Sequence, residues 1–307
     1  MVDPLWPFKH AVKERARRLG SRWHRWRYSK QDQVPLQDRE ACDWIRACLK
    51  AQTPVLIGRL GSVESRLVGE ARWRLGRFSR VTQREAHRNA GIFPIDTLSL
   101  RFAADRLQDA LGQVDLLAEW DSPYQARLIS ECDHSFKRCA LSALEPWWHP
   151  QPWSSALAGR KVLVVHPFAV SICLQYRHRL TLFEDPEVLP DFELQTLVPP
   201  QTLGGATGGY VSWTAALDDL VHRVTALRFD VALVGCGAYG LPLAASIKAM
   251  GRPAIHMGGA LQLLFGIRGR RWDRIPSFVS LMNQAWVRPL PEEIPLGAAQ
   301  VDGGCYW

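Results

Sequence analysis

The chain has no CxxC pair. Its seven cysteines (Cys42, Cys48, Cys132, Cys139, Cys173, Cys236 and Cys305) are odd in number and widely spaced. That argues against a disulfide framework or a zinc site and points to free thiols in a reducing compartment. No apolar run approaches the roughly 18 residues a membrane span needs, and the N-terminus lacks the apolar core of a secretory signal. A cytoplasmic protein is therefore expected. Internal repeats and low-complexity tracts are also lacking. Beyond residue 30 there is almost no net charge: of 38 basic and 30 acidic residues, nine and two fall in the first thirty. The domain itself is nearly neutral, so a nucleic-acid partner is not expected. What is present is ordinary globular composition, 307 residues with 47% hydrophobic and 22% charged. That is enough chain to bury a sizeable core.

The basic excess has a pattern. In residues 8–27, Phe8, Val12, Ala16, Leu19, Trp23 and Trp26 recur in steps of three and four, which predicts an amphipathic helix with basic residues around the remainder. Such a helix suits an anionic membrane surface, here the inner face of a membrane. It equally suits packing of the Trp stripe on the domain or on a second copy in a homodimer. Residues 1–35 are thus expected to form this helix and a linker, and residues 36–307 a single α/β domain.

From residue 38 the chain alternates. Helices are expected over 38–50, 96–111, 213–227 and 241–250, and strands over 54–58, 114–120, 161–165, 193–198, 229–234 and 253–257. Such β-α-β alternation predicts a mostly parallel sheet with helices on both faces. Trp147, Trp148 and Trp153 fall in a Pro-rich loop, where they read best as anchors onto the core.

The segments that follow the strands carry the chemistry. After Ile57 come Arg59, Gly61, Ser62 and Glu64; after Trp120, Asp121; after Val165, His166. After Val234 come Gly235, Gly237, Tyr239 and Gly240, and after Ile255, His256, Gly258 and Gly259. Carboxyl ends of parallel strands share one edge, and ligands bind there. Glycines let backbone N–H groups approach an anion, and a helix N-terminus favours negative charge. The bland alternative is tight strand-helix turns. Arg59 could neutralise a diphosphate or pair with a nearby carboxylate. Glu64 is a candidate base or metal ligand, or a first-turn carboxylate complementing the helix dipole. Asp121 is a candidate base or a helix cap. His166 and His256 are candidate phosphate donors or bases, or hydrogen-bonded structural residues. Gly235 to Gly240 is a GxGxxG, yet the acidic ribose partner expected about 20 positions on is replaced by Ile255 and His256. A phosphate or nucleoside contact is retained as an expectation; hydride chemistry is not.

These segments, with Gly91-Ile92-Phe93-Pro94, Trp147-Trp148-His149-Pro150, Ile255 to Trp272 and the closing Gly303-Gly304-Cys305-Tyr306-Trp307, resemble the bacterial GT-D class of glycosyltransferases. The likeness runs from about residue 50 onward. It includes a subgroup associated with polysaccharide genes. The resemblance implies a single Rossmann-like domain that transfers a sugar from a nucleotide-sugar donor, usually a UDP-sugar, to a glycan or lipid-linked acceptor. It also implies an Arg-x-Gly-Asp-x-Glu motif holding a divalent metal, Mn or Mg, on the diphosphate. Arg59, Gly61 and Glu64 match that motif, but Ser62 stands at the Asp position. A hard cation prefers carboxylate oxygens, so either Glu64 holds the metal alone or Arg59 and helix dipoles replace it. The rival reading is a non-catalytic nucleotide- or sugar-binding module of polysaccharide assembly.

Overall fold

A computed structural model describes residues 35–120 and 122–307. The expected basic helix at 8–27, with its membrane and dimer alternatives, and Asp121 lie outside the described residues. The elements in chain order begin with α1 (Asp38–Lys50), β1 (Leu56–Gly58), α2 (Ser62–Trp73), α3 (Arg80–Asn89) and α4 (Thr97–Leu111). Then come β2 (Leu116–Glu119), α5 (Gln125–Ser130), β3 (Lys137–Ala140), β4 (Lys161–Val165), α6 (Ala169–Tyr176) and β5 (Glu193–Leu197). The last are α7 (Trp213–Thr225), β6 (Val231–Val234), α8 (Gly240–Ala249), β7 (Ala254–His256), α9 (Leu261–Leu264) and α10 (Pro276–Leu281).

The seven strands form one sheet in the order β3-β2-β1-β7-β6-β4-β5. Every pairing is parallel. Central strands are apolar throughout because both faces are covered: all four residues of β6 are buried. Alternation along β4 splits the core in two. Leu163 and Val165 face Leu67 of α2, Leu100 of α4, Leu217 of α7 and Leu243 of α8. Val162 and Val164 face Ile45 of α1, Ile172 of α6 and Leu263 of α9. Trp153 is fully buried in that second core and Trp147 nearly so, while Trp148 stays partly exposed with its ring edge-on to Phe278. Helix starts follow local chemistry: Asp96 accepts from the Ser99 backbone N–H at α4, and Ser212 from that of Ala215 at α7.

The connections fix where a ligand can reach. From β4 the chain steps outward to β5, whereas from β6 it steps inward to β7. The direction of winding therefore reverses between neighbours β4 and β6, and the segments leaving their carboxyl ends diverge. A doubly wound sheet opens its crevice at such a point. Among the described residues, no helix is long and apolar enough to cross a membrane.

Candidate ligand crevice at the carboxyl edge

A crevice of about 720 Å³, counting space open to solvent, lies at this reversal. His166 and Phe168 from the end of β4 line it, with Pro199 and Pro200 from the end of β5, Gly237 and Tyr239 from the end of β6, and Gly259, Tyr306 and Trp307. The walls are thus mainly apolar and planar, with a few fixed polar groups.

His166 is buried, and its Nδ1 accepts a hydrogen bond from the Phe168 backbone N–H at 3.0 Å. That bond leaves the proton of the neutral ring on Nε2. Burial also pulls the imidazole down to about 3. At neutral pH His166 is therefore an uncharged donor beside the crevice, with no vacant nitrogen to take up a proton. His256 is different. Its Nδ1 meets the Val234 carbonyl at 3.2 Å, its ring fills the space at Gly240, and it does not line the crevice. Burial, aided by the Arg59 charge, holds it down to about 3 as well.

The GxGxxG glycines divide their labour. A Cβ on Gly235 would stand 2.7 Å from the His166 ring and 2.9 Å from the Gly258 carbonyl, so this glycine permits close packing. A Cβ on Gly240 would collide with the His256 imidazole. Only Gly237 has a positive φ of 58° and open space beside it. Tyr239 bonds through its hydroxyl to Thr202 at 2.9 Å and stacks on Trp213. The start of α8 just beyond carries no side-chain cap. By contrast, the α6 start is already occupied: Glu293 accepts from the Val170 and Ser171 backbone N–H groups. The helix start after β4 is thus taken by a carboxylate, whereas the start after β6 has no side-chain cap and its Gly240 N–H bonds the Gly237 carbonyl.

A second cluster adjoins the crevice at the ends of β1, β2 and β3. The Arg59 guanidinium lies over the Trp120 ring at 4.8 Å and against Gly258, where a Cβ would come within 3.3 Å of its Cδ. Arg59 makes no hydrogen bond or ion pair with any described residue. Burial pulls its pKa down, resisted by Tyr306 and Glu64. Glu64 is third in α2, and its carboxylate folds back into the space beside the N-cap Gly61. Burial raises its pKa, opposed by its own backbone N–H and by Arg59. Arg271 stacks on Tyr306 at 4.6 Å and reaches Asp302 at 3.5 Å. Glu145, beyond β3, accepts from Trp148 Nε1 at 2.7 Å and feels Arg59, yet burial pushes it up to about 7.

The structure therefore brings Arg59, Gly61, Glu64 and Gly258 to one end of the carboxyl edge, and His166, Gly237, Tyr239 and Gly259 to the other, with Tyr306 between them. Gly235, Gly240 and His256 shape the backbone behind. Glu145, Arg271 and Tyr306 were missed from the sequence. Glu145 sits in a loop after a strand that was itself not expected, while Arg271 and Tyr306 lie in stretches that carry the resemblance, 255–272 and 303–307, without being singled out there. Among the described residues, no three His, Cys, Asp or Glu side chains converge on a divalent-metal site. Ser62 offers no carboxylate, and Glu64 is turned onto its own helix start.

No family model and no curated protein matches the chain. Two solved structures are similar over 78% of this chain and 82% of theirs. One is a selenomethionine-substituted domain of unknown function 1792 (DUF1792), at 16% identity and a TM-score of 0.46. The other is that domain described as having a distinct glycosyltransferase fold, at 15% and 0.44. At these values nothing about activity passes from those proteins to this chain.

Proposed function

We propose that the chain is a glycosyltransferase that takes a sugar from a nucleoside-diphosphate donor, a UDP-sugar first, and passes it to a hydroxyl of a glycan or lipid-linked acceptor. The observation that carries this reading is the crevice at the strand-order reversal, where planar apolar walls meet an uncapped helix start and stand beside two arginines. The planar walls suit a nucleobase. The Gly237 turn and the Nε2–H of His166 suit phosphate oxygens. In this reading Arg59, beside the crevice, meets the charge that develops on the departing diphosphate, where stabilisation accelerates such a reaction.

An acceptor hydroxyl needs a base poised near the working pH. His166 is unsuited because both ring nitrogens are committed. Glu145, pushed up to about 7 by burial, suits the role: it takes the hydroxyl proton as the oxygen attacks the anomeric carbon, and the diphosphate leaves with the bonding electrons. Nucleotide release from UDP-sugars, measured with wild type and Glu145→Gln, tests this. The substitution should lower kcat about 100-fold or more with little change in donor KM. Wild-type rates would remove Glu145 from the chemistry. Saturable nucleotide binding with no turnover of any donor by wild type would make the chain a binding module.

A further inference from the structure

We propose that the diphosphate of the ligand is held by a pair of stacked arginines, Arg59 and Arg271, and that this pair takes the place of a divalent cation. The inference rests on the reading of the crevice as a nucleoside-diphosphate site and names how that site meets the phosphate charge.

The two guanidiniums are mounted alike. Each lies on an aromatic ring, Arg59 on Trp120 at 4.8 Å and Arg271 on Tyr306 at 4.6 Å. Stacking of this kind holds the plane of the fork and leaves its N–H edge for a planar or bidentate anion. Trp120 is itself fixed, its Nε1 donating to the Leu60 carbonyl at 2.8 Å. Gly258 admits the Arg59 stem from the other side. Arg271 is held by its backbone, which donates to the Cys305 carbonyl at 2.9 Å, and by its side chain, which donates to Cys305 Sγ at 3.2 Å. Tyr306 is fixed in turn: its ring covers Gly259, and its carbonyl accepts from Gln262 Nε2 at 3.1 Å.

The charges are under-compensated. Arg59 and Arg271 are near enough to repel each other and both act on Tyr306. Two carboxylates that could balance them, Glu64 and Glu145, are pushed by burial toward their neutral forms. Among the described residues, Asp302 alone pairs with either arginine, at 3.5 Å from Arg271. Two half-sequestered like charges with one paired carboxylate among the described residues, Asp302, favour a bound dianion. The chemistry of the neighbouring donors agrees. A divalent cation asks for several carboxylate oxygens, and here the residue at the expected position is Ser62.

Calorimetric titration of pyrophosphate and of UDP into the full chain, with EDTA and then with manganese, tests the pair. Thermal unfolding without ligand checks each variant. Affinity should change less than twofold between EDTA and manganese. Arg59→Ala and Arg271→Ala should each weaken pyrophosphate at least tenfold, and Arg271→Lys nearly as much, because an ammonium lacks the fork. If Arg271→Ala unfolds, Arg59→Lys and Arg271→Lys carry the test. Binding that requires manganese, or that survives both lysine variants unchanged, overturns the proposal. Metal-independent, arginine-dependent pyrophosphate binding without turnover of any sugar nucleotide would uphold the pair and sink glycosyl transfer. Turnover that needs manganese and ignores Arg271 would do the reverse.

Discussion

Glu145 shows how one buried carboxyl links stability to chemistry. Burial raises its folded pKa from 4.5 to about 7. In the unfolded chain it ionises near the lower value. Between the two, the folded state binds the extra proton, so stability is full below pH 4.5 and is lost as pH rises through about 7. The ceiling on that loss is about 3 kcal/mol, at roughly 1.4 kcal/mol per pKa unit, and partial exposure of the group lowers it. Glu145→Gln removes the titration. Its melting temperature should therefore gain on wild type from pH 5 to about pH 7 and level off by pH 8. A gap that stays constant over that range would show that Glu145 titrates normally. His166 makes the complementary point: the same burial that raises a carboxylate lowers an imidazole, so of the roles open to it in sequence, phosphate donor, base or structural residue, the geometry favours a neutral donor.

At the scale of elements, α8 is seated by what Gly240 lacks. Its first residue lies against the His256 ring at the end of β7. Gly240→Ala should cost about 1–3 kcal/mol in urea unfolding through overpacking. Combining it with His256→Ala should cost less than the sum of the two single changes, because the collision is gone. Strict additivity would mean that the glycine serves the helix start alone. The same element explains what was legible in the sequence. The strand at 161–165 and the helix at 38–50 emerge with the expected bounds, since each has a continuous or periodic apolar pattern with clear punctuation. The strand at 54–58 shrinks to Leu56–Gly58. β3 was invisible: Lys137, Arg138 and Ala140 flank a single buried residue, Cys139, as suits a sheet edge. The GxGxxG was legible as a strand-turn-helix, but not the separate duties of its three glycines, because those depend on His166 and His256 arriving from other strands.

The whole molecule is governed by winding order. The alternation predicts a mostly parallel sheet, and the structure makes every pairing parallel, while the position of the reversal between β4 and β6 depends on crossovers that no local pattern encodes. That reversal sets His166, Gly237 and Tyr306 around one crevice and leaves Arg59 and Glu64 beside it. The contribution of Tyr306, 247 residues from Arg59 in sequence, is visible only in three dimensions.

The most direct test is calorimetric titration of UDP and GDP into wild type and Gly237→Asn. Asparagine tolerates the positive φ at this turn, and its side chain would project into the open crevice. Saturable binding by wild type, weakened at least tenfold in the variant at an unchanged ligand-free melting temperature, is the result expected. Equal binding by both chains, or none by either, would contradict the placement of a nucleoside diphosphate at the strand-order reversal.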